Sequence, residues 1–248
     1  MDVIGVIPAR YSSTRFEGKV LADIAGKPML QHVWERAKES PLLDELVIAT
    51  DDERIMRAVS EFGAKAVMTA RGHASGTDRI VEVVNPLDVK VIINIQGDEP
   101  LIHPTMIDSL ARTLLADTTL HMATIIRKID NEEELRDPNV VKVVTDKNNF
   151  ALYFSRATIP YQGHGQEMKS VTYYKHIGLY GYTKDFLFTY RNLPPSSLEK
   201  IERLEQLRVL ENGYRIKTVE TKFDTISVDT PDDISKIAEY LKREKPNA

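Results

Sequence analysis

Arg10, Arg15 and Lys19 crowd into one short stretch after the apolar run Val3-Ile4-Gly5-Val6-Ile7. Small or polar residues surround them: Ala9, Ser12, Ser13, Thr14 and Gly18. Cations among free backbone N–H groups suit a polyphosphate. A solvated basic loop fits the same residues. A second candidate is Gln96-Gly97-Asp98-Glu99-Pro100. An acid beyond the end of a strand, after a glycine that permits close approach, can hold Mg²⁺. Gly-Asp is also an ordinary turn. Asp229 is a second carboxylate of this kind, after Ser227-Val228 and just before a helix start, and it could meet Asp98 across the sheet edge. Its other reading is a helix cap, a job for which Thr230 is better placed.

Ser75, Gly76 and Thr77 belong to the loop Arg71–Arg79, whose small residues could frame a base; a capped loop with Thr77 or Asp78 as N-cap fits equally. Asp78 and Arg79 read as a structural ion pair. Arg156, His176, Tyr180, Glu205 and Gln206 are polar residues inside apolar stretches. Alternation puts His176, Gly178 and Tyr180 on one strand face, where a lone histidine is commonly a core residue. Glu205 and Gln206 read as a solvated helix face. No G-x-x-x-x-G-K-[ST] is present, because Val20 follows Gly18-Lys19, and no G-x-G-x-x-G follows the first strand. The histidines show no zinc spacing.

These groups need a scaffold. Val3–Ile7, ended by Pro8, reads as a buried parallel strand, and the loop leaving such a strand is where open α/β sheets bind ligands. A helix opened by Pro28 follows, then a strand at Leu46–Ala49, a helix capped by Asp51 or Asp52 and ended by Gly63, a strand at Ala66–Thr69, a helix at Asp78–Val84 and a strand at Val89–Ile95. That alternation predicts a doubly wound, mostly parallel sheet. After the Pro104 helix the pattern turns antiparallel. Strands are expected at His121–Arg127, Val140–Thr145, Phe150–Ser155 and Tyr173–Tyr182, with a hairpin turn at Asp146–Asn149 and a mobile loop at Gln162–Gly165. This antiparallel insertion, roughly residues 120–182 of a single 1–248 domain, is expected to cover one end of the sheet. One long helix over Ser197–Leu210, a strand at Arg215–Val219 and a helix from Pro231 complete the chain.

The 248 residues carry a formal charge of −4, which gives no electrostatic case for nucleic acid. The sequence has no cysteine, excluding disulfides and thiolate metal ligands. No stretch approaches a membrane span, and the first strand begins almost at Met1, so the expected location is the cytoplasm.

Taken in order, the motifs resemble those of the CMP-KDO synthetases, the 3-deoxy-manno-octulosonate cytidylyltransferases. They are I-P-A-R-Y-x-S-T-R-x-x-G-K at Ile7–Lys19, S-G-T-D-R at Ser75–Arg79, Q-G-D-E-P at Gln96–Pro100 and P-N-x-V-K-V-V at Pro138–Val144. Further along are Y-F-S-R-A-x-I-P at Tyr153–Pro160, H-I-G-L-Y-G-Y at His176–Tyr182, L-E-Q-L-R-V-L at Leu204–Leu210 and V-D-T-P-D-D at Val228–Asp233. Phe16-Glu17 and Val20 depart from the family, which implies a looser first loop. The resemblance implies CMP transfer from CTP to the anomeric hydroxyl of KDO, an eight-carbon 2-keto sugar acid, with Mg²⁺ as cofactor. It gives Arg10, Arg15, Lys19 and Asp98 the catalytic roles. Pro8, Ala9, Arg10, Arg15, Lys19, Ser75, Gly76 and Thr77 would bind the nucleotide, and Asp98 and Asp229 the metal. Gln96, Arg156, His176, Tyr180, Glu205 and Gln206 would line the sugar-acid pocket. It also implies a homodimer through the antiparallel insertion. A cytidylyltransferase for sialic acid or 8-amino-KDO and a non-catalytic CTP-binding regulator are the alternatives.

Overall fold

Side chains along β1 (Val3–Ala9) alternate between two cores. Val3, Ile7 and Ala9 join one cluster, and Ile4 and Val6 join another on the opposite face. A strand buried on both faces must lie inside a sheet with cover on both sides. The computed structural model describes residues 1–12, 16–73, 75–163, 171–228 and 230–244. Arg15, Asp229 and part of the Gln162–Gly165 loop fall outside them.

β1 does not stop at Pro8 but runs through it to Ala9. Pro8 still pairs in register with Ala49 on β4 (Glu45–Thr50), whereas the register with β6 (Val91–Asn94) ends at Val6. The missing proline N–H therefore falls where the ladder is one-sided. A 3-10 turn at Lys19–Leu21 and a small hairpin, β2 (Asp23–Ile24) with β3 (Lys27–Pro28), lead into α1 (Met29–Lys38). The loop is not loose at this end. Gly18 N–H donates to Tyr11 O at 2.8 Å, and Val20 is buried. Asp52 caps α2 (Glu53–Glu61), which precedes β5 (Lys65–Met68). α3 (Gly76–Val84) follows, and its N-cap is Ser75, not Thr77 or Asp78.

α4 (Pro104–Ala116) leads to β7 (Met122–Lys128), α5 (Glu132–Arg136), β8 (Lys142–Thr145), β9 (Ala151–Ser155) and β10 (Tyr174–Thr183). α6 (Lys184–Asn192), α7 (Ser197–Glu202), α8 (Leu207–Glu211), β11 (Lys217–Thr221) and α9 (Pro231–Glu244) follow. The main sheet runs β11-β7-β10-β6-β1-β4-β5. Along that path β10 alone is antiparallel to its neighbours. Two strands of the antiparallel stretch, β7 and β10, are therefore built into the sheet instead of covering its end, while β8 and β9 branch off β10. The reason is legible in β7, where Met122 through Ile126 are all buried and need partners on both faces. The long helix expected over Ser197–Leu210 is two short ones. Arg203 takes φ +56°, and Leu204 N–H donates to Glu199 O at 3.2 Å, a Schellman-type ending built without glycine.

Candidate active site

Two adjoining clefts open where β1 and β6 end. Pro8, Ala9, Arg10, Lys19, Ser75, Gly76, Gln96 and Asp98 line the first, with His73, Arg79 and Glu205. Thr77, Asn94, Gln96, Tyr180, Glu205 and Gln206 line the second, with Gly178, Tyr182, Tyr190 and Arg203. The volumes are about 270 and 280 Å³. Each is below the roughly 300–1,000 Å³ of an ordinary ligand site, so a large substrate pair needs both. Gly97 lets the walls meet, since a Cβ there would stand 3.3 Å from Pro8 O.

Lys19 is the junction of the first cleft. Its Nζ donates to Asp98 Oδ2 at 2.7 Å and to Val228 O at 2.7 Å. Val228 N–H in turn donates to Asp98 O at 3.0 Å. The residue preceding Asp229 is thus fastened to Asp98. Lys19 draws together the Asp98 carboxylate and the Val228 carbonyl, and hard oxygen donors of that kind suit a hard dication. Glu99 is buried, with Oε1 accepting from Ser227 Oγ and Oε2 lacking a partner. Burial, then the neighbouring Asp98 charge, pushes its carboxyl up to about 7.

The helix that meets this cleft is capped from within. Ser75 Oγ accepts from Asp78 N–H at 3.2 Å while Asp78 accepts from Ser75 N–H at 3.1 Å. Asp78 and Arg79 do not pair with each other. Arg79 reaches Asp51 at 2.9 Å, and Asp78 reaches Arg191 at 3.5 Å.

The second cleft is built differently, from a strand face and a helix break. Gln96 Nε2 donates to Asn94 Oδ1 at 3.1 Å, which fixes the amide. Gln206 is not on a solvated helix face: it is 3% exposed, and its Nε2 has no partner. Glu205 is exposed, yet desolvation beside the cleft walls raises its carboxyl pKa. Burial also holds the Tyr180 and Tyr182 hydroxyls protonated well above the usual range.

His176 lines a third cleft with Gly178, Lys175 and Glu99. Its Nε2 meets Thr124 Oγ1 at 2.9 Å, and burial lowers its pKa to about 3, so the ring is neutral. Arg156 lines none of these three clefts. Its Nε donates to Glu202 O at 2.9 Å and its Nη1 to Pro138 O at 3.0 Å, which leaves the guanidinium bracing a turn. Sequence reasoning passed over Asn94, His73, Tyr182 and Tyr190. Asn94 alone had a signal, as a polar residue inside an apolar strand.

A cytidylyltransferase family model matches residues 4–219. The 3-deoxy-manno-octulosonate cytidylyltransferase of Geotalea uraniireducens (strain Rf4) is 51% identical, over 98% of this chain and 100% of that protein. The chain belongs to the family of 3-deoxy-manno-octulosonate cytidylyltransferases. The cytidylyltransferase of that name from Syntrophus aciditrophicus (strain SB) is also 51% identical, over 96% of this chain and 97% of its own. A solved CMP:2-keto-3-deoxy-manno-octonic acid synthetase complexed with CTP superposes with a TM-score of 0.92 at 43% identity, covering 99% of this chain and 100% of its own. A Leptospira borgpetersenii cytidylyltransferase, 15% identical with a TM-score of 0.66 over 98% of this chain and 87% of its own, shares the fold. No helix among the described residues of this cytidylyltransferase is long and apolar enough to cross a membrane.

Proposed function

We propose that this chain transfers CMP from CTP to the anomeric hydroxyl of KDO, releasing pyrophosphate. The observation that carries this reading is Lys19 drawn onto Asp98 and Val228 in the cleft that Arg10 also lines, with a second cleft adjoining it. In-line attack of the hydroxyl on the α-phosphorus builds charge on the phosphoryl oxygens and the departing pyrophosphate. Arg10 and Lys19, with Arg15, meet that charge. Pro8, Ala9, Gly76 and Thr77 frame the nucleotide. Gln96, Tyr180, Glu205 and Gln206 orient the sugar acid, and neutral His176 offers the sugar a hydrogen-bonding edge without a charge. Asp98, with Asp229, would hold Mg²⁺; when bound it supplies Lewis-acid neutralisation of the phosphate charge.

Pyrophosphate release with CTP, Mg²⁺ and KDO tests the reading, with sialic acid and 8-amino-KDO as competing acceptors. Turnover with KDO and its loss on chelation are expected. CTP binding without turnover on any acceptor would favour a regulatory protein. The reading includes a homodimer through the antiparallel region, where Leu152 and Tyr161 are exposed. Molar mass in solution tests it, and a monomer at assay concentration would remove that part.

A further inference from the structure

Two glycines on β10, Gly178 and Gly181, stand there for different reasons. A Cβ on Gly181 would lie 2.7 Å from Leu114 Cδ1 and 3.3 Å from Ile93 Cδ1. Packing of α4 on the sheet therefore demands glycine at that position. Gly178 faces no such constraint: its Cβ would meet only Gln96 Cγ at 3.7 Å, an ordinary contact. The register of β10 against β7 shifts between Ile177 and Tyr180, so Gly178 sits in an irregular stretch. Its φ is not in the left-handed region, which among described glycines holds Gly18, Gly26, Gly63 and Gly213. A bulge without positive φ does not require glycine. Glycine inside a strand weakens it. Neither packing nor backbone geometry accounts for the choice.

What Gly178 supplies is a gap. Among the described residues it is the one that borders both the second cleft and the third, which has a volume of about 650 Å³. Each side of the gap carries a buried polar atom without a partner. Gln206 Nε2, a donor, lies on one side, and Glu99 Oε2 on the other. Polar groups also line both sides of the gap, Tyr180 and Glu205 on one and Lys175 and His176 on the other, which suits a chain of hydroxyls.

We propose that Gly178 is a specificity-determining residue: the open space above it admits the hydroxylated chain of the sugar acid, letting it extend from the second cleft toward the third. This rests on the reading that the second cleft takes the sugar acid. The test compares wild-type protein, Gly178→Ala, Gly178→Val and Gly181→Ala in pyrophosphate release with CTP, Mg²⁺ and KDO, alongside thermal unfolding. Gly178→Val should raise the KM for KDO about tenfold or more, and Gly178→Ala by a smaller factor, with the KM for CTP unchanged. Gly178→Ala should unfold at the wild-type temperature, whereas Gly181→Ala should unfold earlier and keep its KM for KDO. A wild-type KM for KDO in Gly178→Val overturns the proposal, and if that variant does not fold, a wild-type KM in Gly178→Ala does the same. Equal rises in the KM for CTP and KDO overturn it too. Failure of the wild-type protein to use KDO removes the functional reading itself, and this inference with it.

Discussion

The two ends of the site use opposite resources. Around β1 and β6, functional groups sit on loops that leave strand ends: Arg10 after β1, Asp98 after β6, and Gly76 and Thr77 opening α3. These positions deliver charge and backbone N–H groups, which suit phosphate whatever is attached to it. Around β10, the groups stand on a strand face or in a helix break: His176, Gly178 and Tyr180, then Glu205 and Gln206. These line the clefts and deliver shape and hydrogen bonds. One end is built to stabilise charge, and the other to select an outline.

Mutations should divide along the same line. Asp98→Asn should cut turnover by about 10² or more while the protein stays folded, because metal-mediated charge stabilisation is worth several kcal/mol. Steady-state rates beside a circular dichroism spectrum check this, and near-normal turnover would take Asp98 out of the metal site. Lys19→Ala should lower kcat by about tenfold or more and touch the KM for KDO little. An effect confined to that KM would place Lys19 on the wrong side of the comparison. Arg156→Met should act on stability instead, costing about 1–3 kcal/mol in urea unfolding through its lost bonds to Glu202 O and Pro138 O. A large rise in the KM for KDO at unchanged stability would return Arg156 to the sugar site.

The last effect concerns pH. His176 is lowered by burial from 6.5 to about 3, so the unfolded chain binds a proton there that the folded one refuses. Its contribution to stability is whole above about pH 6.5 and drains away as pH falls toward 3. His176→Gln should flatten that acid slope in unfolding curves recorded across pH 4–7. An unchanged slope would mean that the ring is not sealed from water.

The charged end was legible in the chain because loops after apolar runs announce themselves by composition. Arg10, Lys19 and Asp98 could be picked by type and position alone, and the structure brings all three to one cleft. The shaped end was not. The break at Arg203 carries no glycine or proline, so Glu205 and Gln206 read as helix surface when they stand in a fold of the chain. β7 and β10 looked like an appendage because strand order cannot be deduced from alternation; only their double-sided burial puts them inside the sheet. Arg156 was attractive as a cation near apolar residues, but sequence shows nothing of the carbonyls that occupy it.

The clasp at Val228 reaches beyond chemistry. One bond hitches Val228 to the loop after β6 and a second ties it to Lys19, and Val228 and Ile237 are fully buried in the same core as Ile7 and Ile95. The tail is therefore a structural strut for the reacting groups. Cutting the chain ahead of Val228 would cost the ammonium one of its anchors and leave the Asp98 loop without its mooring.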